Sequence, residues 1–210
     1  MGQPSSGFVL GVVVAGLCSA ASAGAGAEPT DAIPLIVIVH DRAEILPETL
    51  DQALKEAARI YGQIGVALEW HSAAARERAA AGKEPQTSPQ PYSVQLIIQD
   101  KLRTTSHRTA NFQMGAALAP GRDCKGTVYL FNDQVAEFSS SRRVRPTLAM
   151  GTVIAHEIGH VLLQRMGHSP EGLMRAVLNA GDWERAAIGL LLFAPDDAAI
   201  VRANTTTCRA

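Results

Sequence analysis

His156-Glu157-Ile158-Gly159-His160-Val161-Leu162-Leu163-Gln164-Arg165-Met166-Gly167-His168-Ser169-Pro170-Glu171-Gly172-Leu173-Met174 is the stretch on which the reading of this chain turns. On a helix, positions four apart lie ~40° apart around the axis and ~6 Å along it. His156 and His160 would therefore present two imidazoles to the same side, where they can share one Zn2+. Glu157, next to the first of them, is placed to act as a general base towards a metal-bound water. Leu148, Val153, Ile154, Ile158, Val161, Leu162 and Leu163 make the flanks apolar almost all round, the pattern of a buried helix, and Pro146 suits its first turn. Two histidines and a glutamate inside such a helix need a reason, because unpaired buried polar groups are costly. A metal supplies one. The plainer alternative is a pair of hydrogen-bonded core histidines.

A catalytic zinc usually takes three protein ligands and keeps one open position. His168 lies eight residues after His160, which on a continued helix would be ~12 Å further along the axis, out of reach of the same metal. The helix must stop and fold back. Gly167 is the expected left-handed residue at its end, and Pro170 prevents simple resumption, so the helix is expected from Pro146 to about Met166. Glu184 and Asp182 are rivals for the third position. His40, His71 and His107 read as ordinary solvated or hydrogen-bonded side chains.

Length and composition suggest one domain after processing, with ample apolar content for a core. The net charge of −1 and the absence of a basic stripe argue against a nucleic-acid partner. Phe8 to Leu17 is an apolar run shorter than the ~20 residues a spanning helix needs. It is followed by Ala21-Ser22-Ala23 and Ala25-Gly26-Ala27, both of the small-x-small type at which signal peptides are cleaved. Residues 1–27 therefore read as a secretory signal and 28–210 as the mature domain, secreted or periplasmic. A membrane anchor is the alternative, because Met1 to Gly7 contains no Lys or Arg. No other segment could cross a membrane, so no membrane partner is expected after cleavage, and a monomer is expected. Cleavage removes Cys18 and leaves Cys124 and Cys208, which in an exported chain are expected to pair; two free thiols are the alternative.

Along the chain, Ile33 to His40 reads as a strand. From Pro47, Leu50, Ala53, Leu54, Ala57, Ala58 and Tyr61 follow a helical period that Gly62 or Gly65 ends. Val66 to His71 is a second strand, Ser72 to Pro91 a surface insertion, and Tyr92 to Gln99 a third strand. Asp100 to Asn111 is a polar connection, Phe112 to Ala119 a weaker fourth strand, and Thr127 to Phe131 a fifth. Asn132 to Arg145 reads as a loop before the histidine helix. Beyond Met174, Asp182 is expected to cap a short helix, and Pro195 to start a last one reaching about Arg202.

The segment from His156 to Met174 resembles the active-site stretch of the metzincins, and most closely their matrixin branch, whose pattern is H-E-x-x-H-x-x-G-x-x-H followed by a methionine turn. His156, Glu157 and His160 match outright. His168-Ser169 resembles the third ligand and the serine after it, and Gly172-Leu173-Met174 the end of the methionine turn. Two positions depart: Leu163 stands where the pattern has glycine, and Met166 where it has the third histidine, leaving two extra residues between ligands.

The resemblance implies an α+β, zincin-like fold. It would have a mixed five-stranded sheet, a backing helix, an active-site helix and a small helical C-terminal part over residues 175–210. It implies a metal set of His156, His160 and His168 around Zn2+, with Glu157 catalytic. It further implies an antiparallel edge strand near Gln113–Ala119 that pairs with an extended peptide or protein substrate, and a specificity pocket built from Arg175 to Gly181. The implied activity is that of a secreted zinc endopeptidase. The alternative is an exported zinc-binding or interaction protein that kept the fold without the activity.

Overall fold

A computed structural model describes residues 32–80, 92–100, 113–118 and 124–207, except for the side chains of 79 and 80. Residues 1–27, read as a signal peptide, and His107, Ala119 and Cys208 lie outside the described residues, and with them the expected Cys124–Cys208 pairing.

Strands β1 (Ile33–Asp41), β2 (Val66–Ser72), β3 (Ser93–Gln99), β4 (Gly115–Leu118) and β5 (Lys125–Phe131) form one sheet in the order β2-β1-β3-β5-β4. The first four in that order run parallel, and β4 lies antiparallel to β5 at the edge. The sheet is mixed and the fold α+β, as expected. Parallel neighbours need crossovers, and α1 (Pro47–Gly62) supplies the one between β1 and β2. In β1, β3 and β5, buried residues alternate with half-buried ones. Leu35, Val37, Val94, Leu96, Ile98, Val128 and Leu130 are thus turned into one core.

That core is closed by α1 and by α4 (Pro146–Leu163), the histidine helix. The two helices cross closely at Gly151, where a Cβ would come within 2.5 Å of the Ala53 carbonyl oxygen and 2.7 Å of Glu56 Cβ. Gly126 of β5 opens the other side to Val161. The Tyr61 hydroxyl, buried between the helices, donates to the Ala155 carbonyl at 3.1 Å.

Several elements differ from expectation. Helix α2 (Ala73–Ala80) occupies the start of the stretch read as an insertion. Helix α3 (Asn132–Arg142) replaces the expected loop before α4. It buries only Val135 and Ser139 and sets Phe138 against Trp183, with ring centroids 4.8 Å apart, so its apolar stripe is too thin to show as a period. β4 is shorter than expected, and β5 begins two residues earlier. Helix α5 (Ala180–Ala187) is capped by Asn179 rather than Asp182. Asp182 is the return half of a capping box, accepting from the Asn179 N–H while its own N–H donates to Asn179 Oδ1, both at 3.0 Å. Helix α6 (Pro195–Thr207) runs past Arg202, with the hydroxyls of Thr205, Thr206 and Thr207 bonded one turn back. Among the described residues no helix is long and apolar enough to cross a membrane.

The Gly151 contact gives a test of the packing. Its nearest neighbour is backbone and cannot swing aside, so Gly151→Ala should destabilise the protein by about 1–3 kcal/mol. Gly62→Ala, at the end of α1 with nothing within 4 Å of the added methyl, should be neutral or slightly stabilising. Denaturant titration of the two variants beside the native chain measures both.

Candidate metal centre

Helix α4 carries His156 and His160, and its end decides where His168 can go. The helix stops at Leu163, three residues before the expected end. Gln164, not Gly167, adopts the left-handed conformation, at φ 52°, with its N–H on the Val161 carbonyl. Leu163 is the last side chain of the helix that the core takes in; from Gln164 to His168 every residue is exposed. The helix ends where burial ends, and the two additional residues lie in the return loop rather than in the helix.

The loop brings His168 back. The ligand atoms of His156, His160 and His168 all lie within 4.8 Å of one another, with ring centroids 4.8 to 5.4 Å apart. His156 is half-buried, His160 is buried and His168 is exposed. His156 Nδ1 faces the Leu173 carbonyl at 2.8 Å, and His160 Nδ1 faces the Arg165 carbonyl at 3.2 Å. A carbonyl can only accept, so each Nδ1 carries the proton and each Nε2 presents a bare lone pair. Those two nitrogens are 3.1 Å apart. Two lone pairs held that close repel unless a cation lies between them. Nitrogens on a tetrahedral zinc sit ~3.3 Å apart for bonds of ~2.05 Å. The donor set and the spacing of the first pair therefore fit zinc, and His168 on its exposed loop brings a third candidate donor within 4.8 Å.

Burial sets the protonation of the site. Desolvation lowers the His156 pKa from 6.5 to about 4, against the opposing hydrogen bond to Leu173. It lowers that of His160 as well. Both imidazoles are thus neutral near pH 7, the form a metal needs. Desolvation also raises the Glu157 carboxyl from 4.5 to about 7. The Glu157 side chain is packed on the edge strand: a Cβ on Gly115 would lie 2.7 Å from Glu157 Cγ and 2.9 Å from Oε1.

Met174 is fully buried beneath α4. A Cβ on Gly159, between the two helical histidines, would lie 2.5 Å from its Sδ. The preceding turn is fixed by Gly172, at φ 71°, and by the Leu173 N–H on the Leu192 carbonyl at 2.8 Å.

The rivals lie elsewhere. Asp182 is occupied by Asn179 and Arg175, Glu184 is exposed on α5, and neither joins the histidine group. His40 is paired with Gln95 at 2.6 Å, and His71 lies on β2, at the sheet edge opposite β4. Sequence reasoning missed Arg165 and Asp197. Arg165 lies in the return loop and Asp197 beside it, but their separation of 32 positions leaves no spacing signal.

No protein-family model matches the chain, and no curated protein does. Among solved structures, archaemetzincin from Methanopyrus kandleri is similar, with a TM-score of 0.47 and 14% sequence identity, covering 86% of this chain and 99% of that one.

The opposite shifts at His156 and Glu157 make a pH test. Between pH 4 and 6.5 the unfolded chain binds more protons at His156 than the folded chain, so this group lowers stability as the pH falls. Between pH 4.5 and 7 the folded chain binds more protons at Glu157, so that group raises stability as the pH falls. In metal-free protein the two oppose. Glu157→Gln removes the second, and its melting temperature should drop more steeply from pH 6.5 to 4.5 than that of the native chain. Thermal unfolding in chelator across that range checks this; parallel curves would contradict it.

Proposed function

We propose that this chain is a zinc-dependent peptidase of metzincin-like type. The observation that carries the reading is the pair of bare imidazole nitrogens 3.1 Å apart, with a third histidine converging on them and a buried carboxyl one residue from the first. His156, His160 and His168 would hold the zinc ion, which when bound would supply an acidified water and polarise the scissile carbonyl. Glu157 takes the proton from the attacking water and passes it to the leaving amine.

The backbone of the edge strand supports a peptide substrate. The Phe131 N–H donates to the Met114 carbonyl at 2.8 Å, which makes Met114 and Phe131 a hydrogen-bonded antiparallel pair. Such pairs alternate along the ladder. Gly115 and Ala117, opposite Leu130 and Val128, therefore turn their backbone groups away from β5. An extended peptide adding there as a further strand would run past Gly115, on which Glu157 is packed. The substrate is accordingly a peptide or protein bound by its backbone. Export by way of residues 1–27, action as a monomer and the Cys124–Cys208 bridge belong to the same reading and rest on the sequence.

The test is zinc analysis of the purified mature chain together with digestion of a broad peptide library. The native chain should bind one zinc and cleave. Glu157→Gln should keep the zinc and lose ~10²–10⁴-fold in rate. Zinc binding without any cleavage would favour the non-catalytic alternative, and undiminished cleavage by Glu157→Gln would sink the role given to that residue.

A further inference from the structure

His156 and His160 are each oriented by a carbonyl on Nδ1. His168 has no such partner: among the described residues its ring makes no hydrogen bond, and it sits on an exposed loop. Its aim has to come from what holds the loop, and both flanks of the histidine are fastened to one residue. Asp197, on the first turn of α6 and 3% exposed, accepts from Arg165 Nη2 on one carboxylate oxygen and from Ser169 Oγ on the other, both at 2.6 Å. The same Arg165 nitrogen reaches Ser169 Oγ at 2.7 Å, closing a three-membered ring of bonds. The Ser169 N–H is tied to the Met174 carbonyl at 2.8 Å, and the Arg165 carbonyl is the one that orients His160. Only Met166, Gly167 and His168 are left between the two fixed points. The Asp197 carboxylate is buried and has both oxygens occupied by charge-assisted or hydroxyl hydrogen bonds, so releasing either flank would leave a buried acceptor unpaired.

We propose that Asp197 is the positioning residue of His168. By clamping Arg165 and Ser169 it turns a return loop two residues longer than the metzincin pattern into a rigid presentation of the third imidazole. The inference rests on the zinc reading above, and it goes beyond that reading in giving α6 a part in the metal site.

The experiment is a zinc competition titration against a chelator, with cobalt(II) absorption as a second readout, on the full mature chain. Asp197→Asn and Ser169→Ala are each made in the native background and in a His168→Ala background. Asp197→Asn should weaken zinc binding by ~10–100-fold, as loss of a residue supporting a ligand does. It should also move the cobalt spectrum towards that of His168→Ala. With His168 already gone, the same substitution should change affinity by less than about twofold, because a residue acting through His168 has nothing left to act on. Ser169→Ala keeps the Arg165–Asp197 pair and should show a smaller loss in the same direction; it decides the matter if Asp197→Asn does not fold. Native affinity in both variants, or equal losses with and without His168, would overturn the proposal while leaving the zinc reading intact. A native chain that binds no zinc would overturn the zinc reading first, and this proposal with it.

Discussion

Fifteen of the eighteen residues of α4 are buried, so most of its side chains are cut off from water; the Thr152 hydroxyl finds no hydrogen-bond partner among the described residues. Three glycines set how closely the helix is enclosed. Gly151 lets α1 approach on one side, Gly126 of β5 admits Val161 on another, and Gly159 leaves room for Met174 beneath. At each of these places a Cβ would collide with its neighbour, so the enclosure holds only with glycine there. His156 is the one half-buried residue in the second half of the helix. The candidate metal centre opens where the enclosure is incomplete.

The same enclosure explains the chemistry. Removing water from around α4 penalises charge of either sign. For the imidazoles this keeps the lone pairs free for a cation; for Glu157 it keeps a proton within reach near neutral pH. Desolvation is thus the largest cause of the shifts at His156, His160 and Glu157 alike, and among the described residues no opposite charge contributes to any of the three. The carbonyls of Leu173 and Arg165 complete the arrangement by fixing which ring nitrogen carries the proton. Each comes from chain that has already left the helix, so the turn ahead of Met174 and the return loop orient ligands as well as connecting elements.

What the sequence disclosed follows from how local each determinant is. β1, β3 and β5 alternate along their length, α1 keeps its period, and the spacing of His156, Glu157 and His160 lies within one helical turn. All of these are local and all were legible. Helix α3 was not, because its burial rests on Val135, Ser139 and a ring contact with Trp183, 45 positions beyond Phe138 in the numbering. The end of α4 was misplaced because Gly167 carries the usual stop signal, whereas the burial boundary at Leu163 stops the helix first. The tie from Asp197 to Arg165 and Ser169 spans 32 and 28 residues and involves ordinary surface residue types, so nothing in the sequence marks it.

The place at which α4 ends bears on how much variation such a site tolerates. Two extra residues inside the helix would have carried the chain ~3 Å further along the axis and ~200° around it, turning everything downstream away from the histidines. With Gln164 taking the left-handed turn, the extra length falls in the loop, where added residues change closure entropy by only a fraction of ~0.6 kcal/mol. A longer loop is easy to close but poorly aimed, and aim is what a third ligand requires. Here the aim comes from a different element: α6 reaches the loop through a buried carboxylate, and Ser169 ties it to the Met174 turn. The spacing between second and third ligands is therefore free to vary only so far as some residue outside the loop fixes both sides of the histidine.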